Sequence, residues 1–149
     1  MRVVVQKVSD ASVTINESIN GSINKGYVLL TGFTHEDNKD IVNKMALKIV
    51  NLRIFEDEDD KLNLSLKDVG GSILSISQFT LYAKADSRRP SFINAMKYED
   101  ANDLYNYFNE CLKNLNINVQ TGIFGSDMKV TLVNDGPVTI ILDSKELGM

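Results

Sequence analysis

Two short stretches of the chain carry residues that could do chemistry. The first is SQFTLY, residues 77–82. Ser77 and Thr80 offer hydroxyls, usable as a nucleophile or as hydrogen-bonding groups, and Gln78 offers an amide that could orient a partner. The run from Ile73 to Tyr82 is rich in β-branched and aromatic residues and reads as a strand, so the motif falls at a strand end. Backbone N–H groups there are free to aim into a cleft, because the ladder stops. Two such groups can hold a developing oxyanion with no titratable side chain. The alternative is that these side chains bond neighbouring backbone at a frayed strand end. The residues alone leave both readings open.

The second stretch is NDGPVT, residues 134–139. Asn-Asp-Gly-Pro is a turn signal, because Asp or Gly takes positive φ and Pro ends the pairing. It reads as a loop between two strands. The bond before proline can be cis, which would point neighbouring carbonyls in fixed, unusual directions. The sequence does not decide the isomer.

Other chemistries find no support. His35, the single histidine, sits in the polar stretch THEDN and reads as a solvated loop residue, so neither a Ser-His-Asp nor a Cys-His arrangement can be assembled. Cys111, the single cysteine, falls on the apolar face of a helix and reads as a packing residue. EDEDD, 56–60, lacks the glycine and spacing of a calcium loop and reads as a solvated acidic turn. There is no phosphate-binding glycine loop. No metal and no cofactor are expected. Any chemistry must rest on hydroxyls, backbone amides and the substrate itself.

The elements that must position these stretches follow from periodicity. Residues 2–8 and 11–15 read as short strands, with a turn at NESINGS and Asn20-Gly21 as its hairpin signal. GYVLLTGF, 26–33, reads as a buried strand. Ile41, Met45, Ile49 and Leu52 recur at helical spacing behind a cap at Asp37 or Asn38. Short strands are expected at 53–55 and 62–66, a second helix at about 98–115, then three strands: INVQTGIF, MKVTLV and PVTIILD. The 149 residues, 43% apolar and 24% charged, suit a single domain, 1–149, with an ordinary core. This is an α+β pattern: a mixed, largely antiparallel sheet or partial barrel with two main helices. A net charge of −4 argues against a nucleic-acid-coating surface. The chain shows no membrane span, and one cysteine suits a reducing compartment, so a cytoplasmic location is expected.

SQFTLY with NDGPVT downstream resembles the D-aminoacyl-tRNA deacylase family. The resemblance runs the length of the chain, through RVVVQKVSDASVTI, LRIFEDEDDKLNLSL, RRPSF and NVQTGIFGSDMKVTLVNDGPVT. It implies that Ser77, Phe79 and Thr80, with Gln78, form the active site, and that Gly136-Pro137 is a cis dipeptide that screens chirality. It implies a homodimer with sheet pairing across it, in which the Gly-Pro loop of one chain enters the site of the other. The substrate would be D-aminoacyl-tRNA at its acceptor end, and glycyl-tRNA would be cleaved too. Backbone N–H groups near Phe79 and Thr80 would polarise the ester, with Thr80 as nucleophile or, more in keeping with the missing base, as a water-orienting group. The basic segment with Lys84, Arg88 and Arg89 is assigned to tRNA phosphates. Lys7 and Asn134 are expected to support the Gly-Pro loop. The family usually has arginine where this chain has Lys7, so the loop is either less firmly braced here or braced by another group. Two rival readings are a tRNA-end binding module without catalysis and a purely structural dimer.

Overall fold

The computed structural model describes residues 1–149. Its frame is a long first strand, β1 (Arg2–Ile15), along which Val3, Val5, Val13 and Ile15 are buried. The expected break between 8 and 11 is corrected to a bulge. Val8 pairs with Asn134 and Ala11 with Leu132, so the exposed Ser9-Asp10 pair is absorbed while the ladder continues. The turn comes at Asn16-Glu17, both at positive φ, 49° and 66°, the backbone that tight hairpins demand. Asn20-Gly21 lies instead inside β2 (Ser18–Ile23). Its glycine serves a close approach: a Cβ there would stand 3.1 Å from the Thr121 carbonyl oxygen. Asn20 Nδ2 donates to that same oxygen at 2.8 Å.

β3 (Gly26–Gly32) pairs antiparallel with the first half of β1, from Arg2↔Gly32 to Val8↔Gly26. Helix α1 (Lys39–Val50) is opened by Asn38, whose side chain accepts from the Ile41 N–H at 3.1 Å, satisfying one orphan donor. A small separate hairpin follows, β4 (Arg53–Glu56) with β5 (Leu62–Ser65). Its acidic turn is internally bonded. The Asp57 carboxylate accepts from the Lys61 and Asp59 N–H groups and from Asn63 Nδ2; these bonds, the one from Lys61 foremost, lower its pKa. β6 (Ser72–Ser77) runs parallel to β3, and β7 (Val119–Thr121) parallel to β6. Between them lies helix α2 (Tyr98–Asn114). The last strand, β8 (Lys129–Asp143), pairs antiparallel with β1 from Arg2↔Asp143 to Thr14↔Lys129.

The main sheet is therefore mixed, and its curl brings β2 against β7, close to a barrel. Its helix side packs on α1 and α2 through a cluster that includes Val3, Val5, Leu29, Met45, Ile49, Ile73, Phe108 and Leu112. The other face carries a smaller cluster with Val8, Val13, Val28, Leu74 and Ile76. Each such buried side chain contributes about 1.5–3 kcal/mol. No helix is long and apolar enough to cross a membrane.

Two further corrections bear directly on function. The strand expected over Ile73–Tyr82 stops at Ser77, and Phe79–Tyr82 form a single 3-10 turn. Local β propensity loses because β3, the partner strand, ends at Gly32. The chain folds back over that glycine so tightly that a Cβ on it would lie 2.8 Å from the Gln78 carbonyl oxygen. The expected loop at NDGPVT is not a hairpin. β8 runs through it, with Asn134 opposite Val8 and Thr139 opposite Gln6, leaving Asp135–Val138 as a bulge beside Lys7.

Candidate active site

The site grows from the end of β6. Gln78 donates its backbone N–H to the Thr31 carbonyl at 2.7 Å, the last bond that continues the ladder. Then the 3-10 turn begins, its first internal bond running from the Leu81 N–H to the Gln78 carbonyl. Helical geometry leaves the opening N–H groups, those of Phe79 and Thr80, without an acceptor inside the turn. Gln78 Nε2 donates to Thr80 Oγ1 at 2.5 Å. The turn is fastened from outside by Arg2, whose guanidinium donates to the Leu81 carbonyl at 2.7 Å, bonds Asp143 at 2.9 Å and lies over the Tyr82 ring.

Beside the turn opens a cleft of about 530 Å³, lined by Ile76, Ser77, Gln78 and Phe79 on one side and by residues including Tyr98, Phe124 and Met128 on the other. No histidine, carboxylate, lysine or thiol lines it. Of the four residues singled out in the sequence, Ser77, Gln78 and Phe79 line this cleft; Thr80 does not, and its hydroxyl is instead held by Gln78 Nε2 on the turn beside it. Ser75, one pleat further in, is fully buried with its hydroxyl unpartnered, while its carbonyl accepts from the Tyr105 hydroxyl at 2.8 Å. Sequence reasoning missed the far wall, which is contributed by α2, the 124–126 loop and the start of β8. Those residues carry no local signal of a site.

The Gly136–Pro137 bond is cis, and the pair is exposed on its bulge. It does not line the cleft of its own chain. It stands opposite Gln6–Val8, whereas the 3-10 turn is fastened at Arg2, about 16 Å away along β1. The bulge is held by Asn134. Its Nδ2 donates to the Lys7 and Val138 carbonyls, both at 3.0 Å, and its Oδ1 accepts from Thr139 Oγ1 at 3.3 Å. Lys7 takes part through that carbonyl. Its ammonium, 3% exposed as a residue, turns to Glu56 at 3.6 Å and the face of Phe55. The brace is the asparagine, not the cation.

Of the basic residues, Lys84 is paired with Asp86 at 3.0 Å, while Arg88 and Arg89 are exposed and join no ion pair. His35 is not idle: its Nε2 lies 2.7 Å from the Ile93 carbonyl oxygen and ties down the segment after the arginines. The Cys111 thiol donates to Asn43 Oδ1, and burial pushes its pKa up, which makes it a poor nucleophile.

The chain thus combines a two-helix, barrel-like α+β fold with a cleft at a strand end that no carboxylate, histidine, lysine or thiol lines. Residues 4–143 match the family D-Tyr-tRNA(Tyr) deacylase. A D-aminoacyl-tRNA deacylase of Bacillus pumilus is 54% identical over 98% of this chain and 100% of its own. One from Thermus aquaticus is 50% identical over 98% and 97%. A solved structure titled c-Myc DNA Unwinding Element Binding Protein superposes with a TM-score of 0.90 at 40% identity, covering 96% of this chain and 98% of that one. The chain belongs to the D-Tyr-tRNA(Tyr) deacylase family, hydrolases of the ester bond of aminoacyl-tRNA.

Proposed function

We propose that the cleft beside Ser77–Thr80 hydrolyses the ester joining a D-amino acid to the terminal adenosine of tRNA, releasing free tRNA and the D-amino acid in the cytoplasm. The observation that carries this reading is the 3-10 turn itself. Its two opening N–H groups, those of Phe79 and Thr80, have no acceptor inside the turn, and the cleft beside it is lined by no carboxylate, histidine, lysine or thiol. Donors of this kind each lower an acyl-transfer barrier by about 2.7–4 kcal/mol. An aminoacyl ester is already activated, so two of them supply much of what is needed. Water adds to the polarised carbonyl carbon, and the C–O bond to ribose then breaks. The proton lost by the water ends on the departing ribose oxygen, with the vicinal hydroxyl as a carrier. Thr80 orients the water. The Gln78 amide beside its hydroxyl is not a base, so it holds the group in place without activating it as a nucleophile. Ser77 and Phe79 complete the cleft wall. Lys84, Arg88 and Arg89 meet phosphates near the acceptor end.

Chirality is read by main chain. Side-chain pockets cannot accept many D side chains and refuse all L ones, because they contact the part that varies. Fixed carbonyls can hold the α-amino group while backbone fills the space an L side chain needs. Gly136-Pro137 takes that role across a homodimer, one chain's bulge entering the other's cleft. Two features support the exchange. The pair is exposed and absent from its own cleft. The outer edge of β8 is open over fifteen residues and exposes Val133 and Ile141, 52% and 65%, the kind of edge that pairs with a second chain.

The test measures kcat/KM on D-tyrosyl-, L-tyrosyl- and glycyl-tRNA with the unaltered protein. D-tyrosyl-tRNA is hydrolysed, L-tyrosyl-tRNA is not, and glycyl-tRNA is hydrolysed because glycine offers no side chain to exclude. Inert glycyl-tRNA at high enzyme concentration would end the steric account.

A further inference from the structure

Phe79 has an aromatic partner that the reading above leaves without a task. Phe92 meets it edge to face, ring centroids 5.0 Å apart at 66°. Phe79 lines the cleft and Phe92 does not, so Phe92 stands at the rim. Phe92 is 40% exposed and the following Ile93 is 72% exposed. Exposure of this kind is common in loose loops, but this segment is held on both sides of the ring. Lys84 and Ser91 exchange backbone bonds of 2.8 and 2.9 Å. His35 Nε2 lies 2.7 Å from the Ile93 carbonyl oxygen, Thr34 Oγ1 donates to the Asn94 carbonyl at 2.7 Å, and the Met96 N–H donates to the Phe33 carbonyl at 3.0 Å. The backbone is fixed while the ring is left in water. Arg88 and Arg89 lie four and three residues before it and meet no carboxylate, in a chain of net charge −4. An open aromatic face a few residues along the chain from guanidinium groups that join no ion pair is the chemistry that holds single-stranded nucleic acid, by base stacking and phosphate contact.

We propose that Phe92, with Ile93 beside it and Arg88–Arg89 behind it, is a shelf for the unpaired nucleotide that precedes the terminal adenosine. The base stacks on the Phe92 ring and its phosphate meets an arginine. The shelf rests on the reading that the cleft takes the aminoacylated end of tRNA. It adds a contact that sets the strand's direction of entry, one nucleotide before the ester. Charge complementarity selects RNA over an apolar protein segment as the occupant, since nothing apolar would use the two free arginines.

The experiment compares two substrates: full D-tyrosyl-tRNA, and 3′-(D-tyrosyl)adenosine, which lacks the preceding nucleotide. Phe92→Ala lowers the ratio of kcat/KM on the full substrate to that on the short one by about 5- to 150-fold, the range for losing one base–aromatic stack. Phe92→Tyr, which keeps the π face, restores it. Equal loss on both substrates would mean that Phe92 acts only by supporting Phe79, and no loss on either would mean that it does nothing for substrate. Either result overturns the shelf. A thermal melt of each variant checks the fold. Titration of a labelled CCA trinucleotide reads the same interaction without turnover: Phe92→Ala weakens it and Phe92→Tyr recovers it, and indifference to both refutes the proposal. If the unaltered chain binds CCA through Phe92 but hydrolyses neither ester, the fault lies in the reaction assigned to the cleft, not in the shelf.

Discussion

Replacing Asn134 tests whether the Gly136-Pro137 bulge serves as the proposed chirality wall. The asparagine donates two hydrogen bonds of 3.0 Å, one to the Lys7 carbonyl on β1 and one to the carbonyl of Val138 at the far end of the Asp135–Val138 bulge. Each is worth about 0.5–1.5 kcal/mol net, and the longer bond from Thr139 adds little. Asn134→Ala therefore lowers stability by about 1–3 kcal/mol, and Tm by about 2–4 °C per kcal/mol for a chain of this size. The same loss frees the bulge to move. A wall loosened by about 1.4 kcal/mol admits the excluded enantiomer about tenfold more. The D/L ratio of kcat/KM on tyrosyl-tRNA should fall while activity on the D substrate falls less. Asn134→Asp separates hydrogen bonding from shape. It is nearly isosteric, but it turns both donors into an anionic acceptor facing two carbonyls, so it should be worse than alanine. Its defect should shrink in acid, where a protonated carboxyl donates one bond again. Thermal melts and deacylation assays on both variants read these effects. Asp milder than Ala at neutral pH, or a Tm and D/L ratio unchanged in both, would refute the reasoning.

Three other outcomes are expected. Thr80→Ala retains measurable D-tyrosyl-tRNA hydrolysis, and Thr80→Ser retains more, because the hydroxyl orients water; complete loss in both variants would count against orientation. Neutralising Arg88 and Arg89 to glutamine weakens tRNA binding and lowers the slope of log K against log salt by about 0.7 for each single-strand phosphate no longer neutralised, and an unchanged slope would release both residues from that role. Asp143 is pushed up by burial, but the Arg2 hydrogen bond and charge and the Lys145 and Glu146 N–H groups outweigh this and hold it below the usual carboxylate value. A carboxyl depressed in the folded state stabilises fully above its unfolded value, about 3.9, and that stability is lost as pH falls through the folded value. Melting temperature should thus drop below about pH 4, and less so in Asp143→Asn; equal acid sensitivity would exclude this carboxylate as the cause.

The sequence by itself determined both helices, most of the strands and the mixed character of the sheet. Helical spacing from Ile41 to Ile49 and the Asn38 cap are local properties, and a missing base is visible as a missing residue. Ser77 and Gln78, which line the cleft, stood out for the same reason, as a hydroxyl and an amide out of place in an apolar run. What local pattern could not decide was where strands stop. Phe79–Tyr82 have strand propensity, yet they turn because β3 ends beneath them at Gly32. Asn20-Gly21 has turn propensity, yet it stays in a strand because β7 comes too close for a side chain. NDGPVT has loop chemistry, yet β1 continues past it and holds it as a bulge. Register with a distant strand outweighs a few residues' preference, since each ladder position adds paired backbone groups and buried neighbours together. Only tertiary structure could place Asn134, rather than the Lys7 ammonium, as the brace, and bring Phe92 to the rim of the cleft. Those pairings join residues far apart in the chain, and nothing in either one's neighbours announces the other.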